Sequence, residues 1–236
     1  MIRILKHTFK LLIRLKINLL IGVLLFAGAI TAPNLYFKAL RGYVGPSVFL
    51  ITNLGQPKGF GSGFLIENSK GRQFLATNNH VCSGLEIDGD IVALSNEAVP
   101  KVHVLKVLKK DEKNDLCITE APAGYRGLSI SLDFGIGDTV HVLGHPLGNP
   151  LHRNSGEIIT SLIIPIMMGG DMFNPIIKHI QCWQLAATIS PGNSGSPVVN
   201  HFGRVVGVIF AGSSENSYSA FFIGADKLHK LIEGKI

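Results

Sequence analysis

The shape of the apolar runs constrains this chain more than any other feature. From residue 46 onward, segments rich in β-branched residues recur, each three to nine residues long before Gly, Asn, Asp or Pro interrupts it. They fall at 47–52, 63–67, 73–77, 91–94, 102–108, 116–119, 139–143, 156–164, 182–188, 197–199, 205–210 and 220–223. Helices that bury one face run about ten residues or more, whereas strands of this length are ordinary. The pattern therefore predicts an all-β domain over 45–236, an antiparallel barrel or sandwich, with two successive six-stranded barrels as one natural division. One segment departs from it. In 226–233 (DKLHKLIE), Leu228, Leu231 and Ile232 stand at helical spacing, which predicts a short closing helix.

With 236 residues, 46% hydrophobic and 16% charged, the chain has ample material for a core and little resemblance to a disordered one. The net charge of +6 suggests nucleic acid until its distribution is read. Residues 1–41 carry seven of the 22 basic residues and no acid, leaving 15 basic against 16 acidic in the rest. Without clustered basic charge on the folded part, a nucleic-acid partner is not expected.

The basic excess belongs to a membrane signal. Arg3, Lys6, Lys10, Arg14 and Lys16 precede an apolar run from Ile17 to Ala32, expected to be a hydrophobic helix. Residues 1–33 thus read as a signal anchor or a cleavable signal peptide, and 34–44 as a linker. Ala27-Gly28-Ala29 would serve for cleavage, while the long basic lead with Leu11-Leu12-Ile13 favours an uncleaved anchor. In either case the basic flank stays in the cytoplasm and the remainder is exported. Export would permit disulfides, but Cys82, Cys117 and Cys182 allow one bridge at most, so the fold is not expected to rely on one.

Chemistry concentrates in Pro191-Gly192-Asn193-Ser194-Gly195-Ser196-Pro197. A serine between glycines can occupy a tight turn with exposed N–H groups, and those of Gly192 and Ser194 could form an oxyanion hole. Alone, the segment also reads as an ordinary loop, so a base must be found. Of nine histidines, His80 ends a strand-like run where the chain leaves the sheet, a place from which it can project into a cleft. His141 and His145 are four apart, but Gly144 and Pro146 prevent the helix that would bring both onto a metal, and no metal site is expected. Asp115 opens the apolar run Leu116-Cys117-Ile118 and is placed to be enclosed, as the orienting partner of a catalytic histidine must be. Cys82 and Cys117 read as small buried apolar residues.

In order, Gly61-Ser62-Gly63-Phe64-Leu65-Ile66, Leu75-Ala76-Thr77-Asn78-Asn79-His80-Val81, Asn114-Asp115-Leu116-Cys117-Ile118, Leu143-Gly144-His145-Pro146-Leu147-Gly148 and Pro191 to Pro197 resemble a trypsin-like serine protease, nearest to the HtrA/Deg branch. The likeness spans roughly Val44 to Ile232. It implies two six-stranded chymotrypsin-like barrels with the site between them. It further implies His80 as general base and acid, Asp115 as its partner, Ser194 as nucleophile, and Gly192 and Ser194 as oxyanion donors. No cofactor is implied. The partners would be polypeptide substrates and the membrane, and relatives commonly form homo-oligomers.

Several positions depart from the pattern. Ser196 stands where many relatives have a second glycine. Asn193 replaces the aspartate that pairs with a newly cut N-terminus in digestive enzymes, so activation by zymogen cleavage is not expected. Met167-Met168-Gly169-Gly170-Asp171 is the candidate regulatory loop, and with 42 residues after Ser194 a PDZ domain is not expected in this chain. By the same likeness Thr188, Phe210, Ala211 and Gly212 line the primary specificity pocket, and without an acid there uncharged, aliphatic or small side chains are favoured. Two other readings compete with a quality-control endopeptidase. One is a catalytically silent homologue that binds peptides. The other is an α/β-hydrolase esterase, which the order His, Asp, Ser and the missing glycine at 196 argue against.

Overall fold

The computed structural model describes residues 32–52, 60–170, 175–212 and 218–234. Most of the expected hydrophobic helix, 17–31, lies outside these residues, and among the described residues no helix is long and apolar enough to cross a membrane. Among the described residues, 32–44, containing the expected linker, are helical (α1). A 3-10 turn, Gly45–Ser47, then leads into the first strand.

Twelve strands follow among the described residues, as the run lengths predicted. The first six are β1 (Val48–Thr52), β2 (Phe60–Glu67), β3 (Gln73–Thr77), β4 (Asp90–Leu94), β5 (Val102–Asp111) and β6 (Leu116–Thr119). They close as a barrel in the order β1-β2-β3-β6-β5-β4 around Phe49, Ile51, Leu65, Leu75, Ile91 and Val107. The second six are β7 (Thr139–Gly144), β8 (His152–Gly170), β9 (Pro175–Leu185), β10 (Pro197–Val199), β11 (Val205–Gly212) and β12 (Ala220–Gly224). They close in the order β10-β11-β12-β9-β8-β7 around Val142, Ile158, Leu185, Val198, Ile209 and Phe222. Within each barrel, closure pairs every strand with two neighbours and leaves no sheet edge. The terminal helix α2 (Ala225–Glu233) buries Leu228, Leu231 and Ile232, the residues whose spacing predicted it.

Two expectations need correction. The segment 162–181, which held the candidate regulatory loop, is for the most part paired strand: Met167 to Gly170 belong to β8, and β8 and β9 pair from Ile158↔Leu185 out to Gly170↔Pro175. Asp171 lies outside the described residues. β7 accompanies β8 only as far as Glu157, and β12 accompanies β9 only from Trp183, so the remainder is a two-stranded ribbon. Run lengths understated this pair because Pro165 interrupts β8, which a strand tolerates where it has no outer neighbour. The second correction is covalent. Cys82 and Cys117 are buried as expected but joined in a disulfide, and only Cys182 is free. Core packing of both residues in one barrel brings the sulfurs together, a proximity that a separation of 35 residues conceals in the sequence.

Candidate active site

The site is assembled from turns at the ends of strands. β3 delivers the chain into the turn that carries His80, and Asp115 immediately precedes β6, the neighbour of β3 in the barrel. That pairing sets the two residues side by side. His80 Nδ1 lies 2.7 Å from Asp115 Oδ2, and the His80 backbone N–H donates to Asp115 Oδ1 at 2.9 Å. The Asp115 carbonyl accepts from the Asn79 N–H at 3.1 Å and from Asn78 Nδ2 at 3.0 Å. Asp115 holds a left-handed backbone, φ 52°, which a non-glycine residue adopts at a cost that these contacts offset. Its side chain is 5% exposed against 42% for His80: a sheltered carboxylate carries an imidazole that reaches solvent. An ionised carboxylate only accepts, so the imidazole donates from Nδ1 and keeps Nε2 free as a base.

Ser194 sits in the loop before β10, and β2 of the first barrel holds that loop in place. The Ser62 N–H donates to the Ser194 carbonyl at 2.7 Å, and the Gly195 N–H donates to the Ile209 carbonyl at 2.8 Å. At Gly61 the His80 turn and the Ser194 loop converge, since a Cβ there would stand 2.8 Å from Val81 and 3.0 Å from the Ser194 carbonyl oxygen. Gly192 has φ +93°, and a Cβ on it would lie 2.4 Å from the His145 carbonyl oxygen, so only glycine fits. Among the described residues neither the Gly192 nor the Ser194 N–H donates to a backbone carbonyl. Such unused donors beside a serine are what a developing oxyanion requires. The profile of the trypsin-like peptidase domain matches residues 61–208, which contain His80, Asp115, Gly192 and Ser194.

The chain belongs to the trypsin-like peptidase family. A serine protease HtrA-like protein of Staphylococcus aureus (strain bovine RF122 / ET3-1) is 30% identical over 184 residues, 73% of this chain and 23% of that relative. The chain thus spans about a quarter of the length of the curated relatives it matches. In fold it is similar to an M. tuberculosis protease in its active form, with a TM-score of 0.69, 22% identity, and coverage of 85% of this chain and 86% of that one. A serine endoprotease from Yersinia pestis gives a TM-score of 0.65 at 21% identity, covering 84% of this chain and 65% of that one.

Around this candidate site, the residues expected to line a specificity pocket divide. Phe210 is buried in β11 beside Ala211 and Gly212, whereas Thr188 is exposed and its carbonyl accepts from Asn154 Nδ2 at 2.6 Å. Ile189, which the sequence did not single out, lies across the open face of Gly212, its Cγ1 3.0 Å from where a Cβ would stand. Ser196 fits because residue 144 is also glycine: its hydroxyl fills the space a Gly144 side chain would need. Asn193 is buried and folded onto its own loop, with Nδ2 donating to the Ser190 carbonyl at 3.2 Å.

His141 and His145 are buried apart from the His80–Asp115 pair. His141 Nδ1 is 2.7 Å from Ser155 Oγ, and burial, reinforced by Arg153 and then His201, pushes its pKa down to about 4. His145 Nδ1 donates to the Asn149 carbonyl at 2.9 Å; burial lowers its pKa, and that bond opposes the shift only in part. Among the described residues no group of three His, Cys, Asp or Glu side chains is placed to hold a metal ion.

Proposed function

We propose that this chain is a serine endopeptidase that acts on polypeptides outside the cytoplasm. One observation carries the reading: the two-point contact of His80 with the buried Asp115, on a turn that adjoins the Ser194 loop. In this mechanism His80 Nε2 takes the Ser194 hydroxyl proton as the oxygen attacks the scissile carbonyl. Asp115 holds the ring in the needed tautomer and stabilises the imidazolium. The oxyanion is held by the N–H groups of Gly192 and Ser194. His80 then protonates the departing amine, and water, activated by the same nitrogen, releases the acyl group from Ser194. This sequence needs neither metal nor organic cofactor.

Ile189, together with Phe210, Ala211 and Gly212, would form a shallow, uncharged primary pocket, with Thr188 near its rim. Uncharged aliphatic or small residues before the cleaved bond suit such a surface. Residues 17–32 would tether the enzyme to the membrane with the basic N-terminus in the cytoplasm. Exported proteins that have lost their fold, with apolar segments exposed, are the substrates that this location and pocket suit, and homo-oligomers are expected from the HtrA likeness.

The test compares the full chain with its Ser194→Ala variant, each incubated with unfolded casein and a fluorophosphonate probe. Wild type should cut and label, and Ser194→Ala should do neither, because loss of one triad member can cost as much as about 10⁶ in turnover. Equal cleavage by both forms would remove Ser194 from the mechanism. A folded wild type that neither cuts nor labels would favour a silent peptide-binding homologue.

A further inference from the structure

Gly192 is the weak point of the proposed oxyanion site. With no side chain and φ +93°, its two flanking peptides are free to rotate unless something holds them. Rotation of the Pro191–Gly192 peptide would turn a carbonyl toward the position an N–H must face. Both flanking carbonyls, however, are held from outside the loop. The Pro191 carbonyl accepts from the Leu147 N–H at 2.6 Å, and because the peptide is trans, the Gly192 N–H points the opposite way. The Gly192 carbonyl accepts from Ser62 Oγ at 2.8 Å.

Ser62 is fully buried, and it connects more than this one pair. Its hydroxyl accepts from the His145 N–H at 2.9 Å, its own N–H donates to the Ser194 carbonyl at 2.7 Å, and its carbonyl accepts from Thr77 Oγ1 at 2.7 Å. A single side chain of the first barrel therefore ties the Ser194 loop to the turn after β7. That turn is itself strained: Leu147, with φ 56°, exposes its side chain while its N–H faces Pro191. The His145 bond to the Asn149 carbonyl closes the turn around it.

We propose that Ser62 is a positioning residue, whose hydroxyl acts with the Leu147 N–H as a two-point latch on Gly192 that fixes the oxyanion donors. Without the hydroxyl, the His145 N–H and the Gly192 carbonyl both lose a partner in a buried place, and the loop gains reason to rearrange. The kinetic part of this inference rests on the endopeptidase reading; the structural part does not.

The sequence offers a direct probe, for Pro191-Gly192 is its single Pro–Gly pair. Proline labelled with ¹³C at the carbonyl and glycine labelled with ¹⁵N make Gly192 the one amide seen in a carbonyl-filtered NMR spectrum. The experiment compares wild type, Ser62→Ala, and Ser62→Cys, which keeps the shape but donates weakly. Wild type should give one Gly192 signal; Ser62→Ala should give a doubled or broadened one, and Ser62→Cys the same to a smaller degree. Turnover in Ser62→Ala should fall about tenfold or more, short of the 10²–10³ that follows complete loss of an oxyanion donor, with KM within about twofold. One unshifted Gly192 signal in both variants overturns the latch. So does unchanged turnover, or a loss in which KM and the whole glycine spectrum move together, since those mark a merely structural residue. If wild type neither cuts nor labels, the endopeptidase reading fails, and the Gly192 signal alone decides for or against the latch.

Discussion

The Cys82–Cys117 disulfide should account for a large share of the stability of this domain. It closes a loop of 35 residues, and the chain-entropy relation for a loop of that length gives a loss of about 13 cal/mol/K from the unfolded state. At 25 °C this is about 4 kcal/mol, against a net stability of roughly 5–15 kcal/mol for domains in general. Reducing wild type leaves both sulfur atoms in the core beside Phe49, Ile51, Leu75 and Ile91, so reduction isolates the cross-link. The double variant Cys82→Ala/Cys117→Ala also removes the sulfurs and should lose somewhat more. Burial pushes the Cys182 thiol up to about 11, so at neutral pH it supplies little thiolate to exchange with the bridge. The assay is urea unfolding at pH 7 with and without reductant, with alkylation under denaturing conditions to count thiols. A difference below about 1 kcal/mol between oxidised and reduced wild type would refute the loop-entropy reasoning.

Asp115→Asn should leave the fold intact and lower kcat by roughly 10⁴, as expected when an amide imposes the wrong histidine tautomer; a loss below tenfold would mean that Asp115 does not orient His80. Stability should fall as pH drops from about 6.5 toward 4. Unfolded histidine protonates near 6.5, whereas His141 does so only near 4 and the His145 value is also lowered, so the unfolded state carries more protons across that window. Each such histidine contributes up to about 1.4 kcal/mol per pH unit, read from urea midpoints between pH 7.5 and 5; a midpoint that stays level or rises toward acid would contradict this. Ile189→Ala should deepen the recess in front of Gly212 and raise kcat/KM for larger apolar residues over alanine by about tenfold, from a peptide library. An unchanged preference would move the pocket elsewhere.

The sequence made legible those parts of the molecule that depend on local pattern. Turn residues spaced along β-branched runs anticipated all twelve strands, and the apolar spacing of Leu228, Leu231 and Ile232 anticipated α2. His80, Asp115 and Ser194 stood out because each borders a strand-like run in a setting with a chemical meaning. Relations that exist only after folding were hidden. Ser62 is an inconspicuous residue inside a glycine-rich strand until Gly192, 130 residues away, comes within 2.8 Å. Leu147 contributes through its backbone, which its side chain does not announce. Ile189 was missed because the turn points its side chain, rather than that of Thr188, across Gly212.

The division of the site between barrels sets a schedule for its appearance. His80, Asp115 and Ser62 belong to the first barrel, complete with β6 at Thr119, whereas Ser194 precedes β10 and its barrel closes only with β12 at Gly224. A growing polypeptide therefore holds His80, Asp115 and Ser62 long before it holds Ser194. When Ser194 does emerge, β10, β11 and β12, which complete its own barrel, are still to be made. On the endopeptidase reading, a chain still under synthesis therefore has no competent site until the second barrel closes.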